Sequence, residues 1–291
     1  MSNQPYHYNG GEPGSIVAAL IDLQPIQRKG FRDLCLILEA LILTVVSIYA
    51  VRLIGVPQPG LVGIVLSSSA MIPRMNQILL INRDRIWREQ GNGRQINLDS
   101  IGSGLSIFIG MFIGFLGIGF LSSESVMIGD FNFIITRAGL DPNAVLSADR
   151  FSQGLQIFQH NSSVLITLTA LSFVYRSLGT MFALGWNAGV WGITIALFMN
   201  GGDESDLAPV MYGAMILIAI MPHLIFEASS YLTGALAAIF LSRGITLYSI
   251  GDSRLNRVLI AVVVLGVLSL ALLLIGAVLE HHVPRIILDQ L

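Results

Sequence analysis

Charge is scarce in this chain. Of its 291 residues only 12% are Asp, Glu, Lys or Arg, against about 25% in an ordinary soluble domain, while 54% are hydrophobic and mean hydropathy is +0.73. Those values exclude a soluble globular domain. With a net charge of −2 there is no basic footprint for nucleic acid either. Cysteine is almost missing: Cys35 stands alone, which excludes an internal disulfide and a thiolate metal site. Also absent are a phosphate-binding Gly-x-x-x-x-Gly-Lys loop, a dinucleotide fingerprint and a His-Glu-x-x-His zinc motif. Gly102-Ser103-Gly104 is only a weak imitation of a serine-nucleophile turn. The expectation is therefore a non-enzymatic chain with no cofactor and no catalytic residue. Met1 to Gly14 is polar, and the first apolar run comes too late and is too long for a cleavable leader.

What the chain has instead is long apolar runs. A spanning helix needs about 20 mostly apolar residues. Leu34–Ile54, Ile101–Ser122, Leu155–Tyr175, Leu178–Met199 and Val258–Leu279 meet that length. Leu61–Ile81 has the length but carries Pro73, Arg74 and Asn76, which leaves open a tilted span, a re-entrant piece or an interfacial helix. Ala208–Leu241 is too long for one upright crossing, since its helix would reach about 51 Å against a core of about 30 Å. Pro222 divides it, and a crossing broken there is expected. The fold class is thus all-α, a polytopic transmembrane bundle of about seven spans, with six as the alternative if Leu61–Ile81 stays on the surface.

Loop charges orient the spans. Arg28, Lys29 and Arg32 precede the first. Arg83, Arg85, Arg88 and Arg94 lie before Ile101–Ser122, Arg176 lies between two spans, and Arg243, Arg254 and Arg257 precede the last. The loop Gly201-Gly202-Asp203-Glu204-Ser205-Asp206 is acidic. With seven crossings all these basic groups fall on one side and the acidic loop on the other. The positive-inside rule then puts the N-terminus in the cytoplasm and the chain, multi-pass, in an inner (cytoplasmic) membrane. Three segments follow: 1–33, a polar cytoplasmic N-terminal segment; 34–97, an N-terminal membrane part with a basic loop; and 98–291, the main bundle. Ser123 to Ser152 is the longest polar stretch between spans, either a plain connector or a cap for docking a partner. Ile81 to Arg88, with Trp87 among its arginines, suits the headgroup region.

Two ionisable residues lie inside apolar sequence. His223 and Glu227, in Met221-Pro222-His223-Leu224-Ile225-Phe226-Glu227, are four apart and share a helix face. Ionisable groups at membrane depth are costly and mark a site. Asn187, mid-span, and His160 and Asn161, early in the preceding helix, are candidate partners in one buried polar cluster. The cluster reads either as interhelical hydrogen-bond glue or as a proton-responsive network. A zinc site wants three or four ligands. His223 and Glu227 supply two, so no metal is expected. Gly110 and Gly114, and Gly185 and Gly189, are glycine pairs four apart. They make flat faces, either for packing within the chain or for a homo-oligomer.

The stretch Met221 to Ala228, followed by Thr233-Gly234-Ala235-Leu236-Ala237-Ala238 and Arg243-Gly244, resembles the stage II sporulation protein M family, whose hallmark is Pro-His-Gly-x-x-Glu before a small-residue helix. Phe158-Gln159-His160-Asn161 and the Gly179 to Gly189 helix are similar to further elements of that family, and the likeness covers 151–245. Leu224 stands where the family has glycine, and Ala188 interrupts its Asn-Gly element. The resemblance implies a membrane protein that anchors partners without catalysis of its own. The founding member works beside peptidoglycan-degrading proteins. The expected function is a scaffold organising other membrane or envelope proteins, with the lipid bilayer as its medium and no nucleic acid. The alternatives are a channel or secondary transporter using His223 and Glu227, and thirdly an intramembrane hydrolase.

Overall fold

The computed structural model describes residues 29–87, 91–138, 154–200 and 209–288. The polar N-terminus, Arg88 with the two residues after it, residues 139–153 and residues 201–208 with the acidic loop lie outside them. The described residues form helices and no strand: α1 Lys29–Ile54, α2 Pro59–Ala70, α3 Ile72–Trp87, α4 Gly93–Leu121, α5 Glu124–Ala138, α6 Gly154–Tyr175, α7 Ser177–Asn200, α8 Pro209–Leu247 and α9 Ser253–Leu288. Seven helical segments are long and apolar enough to cross a membrane, with α2 and α3 together counting as one. The protein is an all-α, multi-pass integral membrane protein.

The second span is intact but jointed. α2 ends and α3 begins around Met71, two residues before Pro73. Arg74 is tolerated there because it is paired. Its Nε donates to Glu39 Oε2 at 2.8 Å and its Nη2 to Glu39 Oε1 at 3.0 Å, with side chains 2% and 6% exposed. A forked guanidinium on a carboxylate satisfies both groups and leaves no net charge in the interior. Gln77 accepts a further bond from Arg74 Nη1.

α4 and α7 form the centre, and the other helices pack around them. Glycine sets those contacts. A methyl at Gly110 would collide with the Ile37 carbonyl oxygen, and one at Gly114 with Thr44. The Gly110/Gly114 face is therefore filled by α1 of the same chain, which excludes it as a homo-oligomer surface. Gly185 and Gly189 are likewise filled by Ser68 and Ile64 of α2. On its other side α1 presents Leu34, Leu38, Ile42, Val46 and Leu53 outward, an apolar face suited to lipid.

A single residue with positive φ, Arg176 at 54°, reverses the chain between α6 and α7. Lys29, Arg83, Arg85, Arg176 and Arg243 gather at that end of the bundle. Lys29 Nζ meets Asp99 at 2.9 Å, and Arg85 meets the same carboxylate at 3.5 Å. Arg176 and Arg83 are each close enough to Arg243 to repel it. At the opposite end α5 folds back on the bundle with Met127, Phe131 and Ile134 buried. Arg52 Nε donates to Asp130 there at 2.6 Å. The stretch expected to be polar between spans is thus, up to residue 138, a helix docked on α2 and α7.

α8 differs from expectation. It runs as one continuous helix from Pro209 to Leu247, with Pro222 inside it. No unwound turn separates two halves, so the expected break at Pro222 is not one. Proline removes one backbone donor, and neighbouring helices in a membrane bundle tolerate that loss. α9 packs antiparallel along α8 after a turn at Gly251, whose φ is 94°. Asp252 caps α9 by accepting from Arg254 N at 2.8 Å.

Candidate functional site

The α8–α9 pair is built from small and hydroxyl side chains. Ser230 Oγ donates to Ser269 O at 2.8 Å, and Ser269 Oγ returns a bond to Ser230 O at 2.9 Å. Gly276 has no side chain, and the backbone of His223 and Glu227 lies against it, with His223 O and Glu227 N 3.6 Å from where a Cβ would stand. One turn further along α9, on the same face, is Glu280.

That register brings three ionisable side chains together. One ligand-type atom from each of His223, Glu227 and Glu280 lies within 4.8 Å of the others. Their exposures are 1%, 5% and 7%. Tyr231 Oη, one turn after Glu227, donates to Glu227 Oε1 at 2.6 Å. Asn161 of α6 hydrogen-bonds to Glu280 through its side chain. The Trp191 ring of α7 meets His223 in a T-shaped contact at 5.3 Å. Four buried atoms of this group find no hydrogen-bond partner among the described residues: both ring nitrogens of His223, Glu227 Oε2 and Glu280 Oε2. Buried polar atoms are usually satisfied, so four together in one place form a site rather than a packing accident. Glu227 lies sixteen residues before Arg243, about 24 Å of helix from the basic end. The site is far from that end, toward the opposite end of the bundle.

The residues proposed from sequence divide. His223, Glu227 and Asn161 converge. Asn187 does not join them, because its Nδ2 donates to Ala183 O at 2.9 Å on its own helix. His160 is exposed on the outer face of α6, where helical periodicity sends it away from its neighbour Asn161. Glu280 was missed. It follows directly on the apolar run Val258–Leu279, where an acid reads as the end of a span. Its signal is the antiparallel register that a short turn between two long spans imposes. Glu39 was also missed, although an acid in one span and an arginine in the next is a pairing signal.

Residues 143–283 match the family model described as stage II sporulation protein M. This stretch is a member of the stage II sporulation protein M family. The match extends beyond 151–245 at both ends and so takes in α9 as far as residue 283. It contains the whole of the site: His223, Glu227, Glu280 and their neighbours Asn161, Tyr231 and Trp191. The Glu39–Arg74 pair lies outside it. No curated protein and no solved structure gives a significant match to the chain.

Proposed function

We propose that this member of the stage II sporulation protein M family is a non-enzymatic scaffold that holds a partner protein in the membrane through the outer face of α6. One observation carries the reading. Gln156, Gln159, His160, Ser163 and Thr167 all point outward from α6, at spacings that make one stripe along a helix. α6 is also the least apolar and least enclosed of the seven candidate spans. The Ser163 and Thr167 hydroxyls donate within α6, to Gln159 O at 3.1 Å and Ser163 O at 2.9 Å, which leaves Gln156, Gln159 and His160 as the groups that a facing helix would bond, as amide side chains do between membrane helices. The occupant this face fits is a transmembrane helix of another protein, with small or hydrogen-bonding residues on its facing side. The anchoring role that the family resemblance implies is in keeping with this.

The test is site-specific photocrosslinking in native membranes, with a benzophenone residue at Gln159 or Ser163 and, as control, at Val264 on the apolar outer face of α9. The expected result is one heterologous adduct from the α6 positions, with the crosslinked peptide inside a transmembrane segment of its partner. It should be lost when Gln159 and Ser163 are both replaced by Leu away from the probe. Adducts equal to those at Val264, or adducts only to a second copy, overturn the reading. So does substrate turnover by the pure protein that Glu227→Gln abolishes.

A second reading rests on the enclosed His223, Glu227 and Glu280 group, which could carry protons or cations in a transporter. Ion flux in proteoliposomes across pH, compared between wild type and His223→Ala, separates it from the first.

A further inference from the structure

We infer that His223, Glu227 and Glu280 bind a divalent transition-metal cation that ties α9 to α8 within the membrane. The inference goes beyond the scaffold reading and stands whether or not α6 holds a partner.

The donor set supports it. One imidazole and two carboxylates converge within 4.8 Å, and their free atoms are all of acceptor type or, on the imidazole, able to be so. A proton shared between the two carboxylates would satisfy the acids and still leave His223 without a partner. A dication satisfies one atom of all three side chains at once. It also balances the two negative charges, which an apolar interior otherwise resists. Mixed nitrogen and oxygen donors suit zinc- and manganese-type ions rather than the all-oxygen shells that Mg2+ and Ca2+ prefer.

The surroundings support it independently. Carboxylate ligands in metal sites are themselves held by hydrogen bonds. Here Tyr231 occupies Glu227 Oε1 and leaves Oε2 free, while Asn161 holds Glu280, whose Oε2 is also free. Trp191 lies against the His223 ring and closes the site on the α7 side. Gly276 lets α9 approach the turn of α8 that carries two of the three ligands. The ligands come from both arms of the hairpin, so bound metal would act as a cross-link between them.

The experiment uses the full-length protein, purified in mild detergent without a polyhistidine tag or chelator, and measures metal content by mass spectrometry. Wild type should retain about one equivalent of a transition metal per chain. After stripping with chelator, Zn2+ or Mn2+ alone should raise its melting temperature, because an ion that binds only the folded state stabilises it. Glu280→Gln and His223→Gln, close in size to the native residues, should weaken binding by ~100-fold or more. Tyr231→Phe keeps all three ligands and should weaken it by only about tenfold, as loss of an outer hydrogen bond does. It also serves as the variant that reports if the ligand substitutions fail to fold. Wild type with neither retained metal nor a thermal response to Zn2+ or Mn2+ overturns the inference. Metal bound by Glu280→Gln as tightly as by wild type also overturns it. So does a response to Mg2+ alone that His223→Gln leaves unchanged.

Discussion

Removing the carboxylate of Glu39 should destabilise this protein more than removing the guanidinium that faces it. The two side chains are 6% and 2% exposed and share two hydrogen bonds at 2.8 and 3.0 Å. Breaking a buried ion pair from one side typically costs about 3–5 kcal/mol, because a buried charge is left behind. The two halves are not equivalent, however. A carboxyl stranded in an apolar site can take up a proton, whereas a guanidinium stays charged. Glu39→Leu should therefore cost about 3–5 kcal/mol and Arg74→Met about 1–3 kcal/mol. The double variant Glu39→Leu/Arg74→Met replaces the pair with apolar volume and should fall within about 1 kcal/mol of wild type. Reversible denaturant titration in micelles, run as a double-mutant cycle, measures all three values. If Glu39→Leu costs less than about 0.5 kcal/mol, or the double variant costs the sum of the singles, the pair is not enclosed as described and the jointed second span needs another explanation.

Further outcomes follow from the packing. Gly110→Val should cost about 1–3 kcal/mol through overpacking against Ile37 and Ala40, and size-exclusion chromatography should show an unchanged oligomeric state, since that face is internal. Asp130→Asn weakens the bond to Arg52, whose side chain is 20% exposed. A loss of about 1 kcal/mol is expected in a denaturant titration. Asn187→Ala removes a bond confined to α7 and should change stability by less than about 1 kcal/mol, with no effect on metal retention at the α8–α9 site.

The seven spans were legible because bilayer thickness dictates their length, and the intramembrane His223 and Glu227 because so few ionisable residues interrupt them. Depth and helical face were harder to read. Asn161 and His160 are adjacent in sequence, yet a helix turns adjacent residues about 100° apart. One therefore reaches Glu280 and the other faces outward. Asn187 sits mid-span as a bridging residue should, but the carbonyl four residues earlier accepts its amide, a local option always open to a polar side chain on a helix. Pro222 reads as a break because proline lacks a donor, yet one missing bond does not unwind a helix supported on several sides. Glu280 could not be placed by composition at all. Its role depends on how two spans align across a five-residue turn, a long-range property that no local window contains.

The account depends most on that alignment, and a disulfide can measure it. In a Cys35→Ser background, cysteines replacing Phe226 and Gly276 would have Cβ atoms about 3.6 Å apart, within the range a disulfide spans. Gly244→Cys with Val258→Cys, at 3.4 Å nearer the turn of the same hairpin, serves as the control pair. After mild oxidation in native membranes, both pairs should be protected from a maleimide that shifts mobility on a gel. A control pair that closes while the Phe226/Gly276 pair stays open to the maleimide would mean that α9 does not carry Glu280 to His223 and Glu227, and the three-residue centre would not exist.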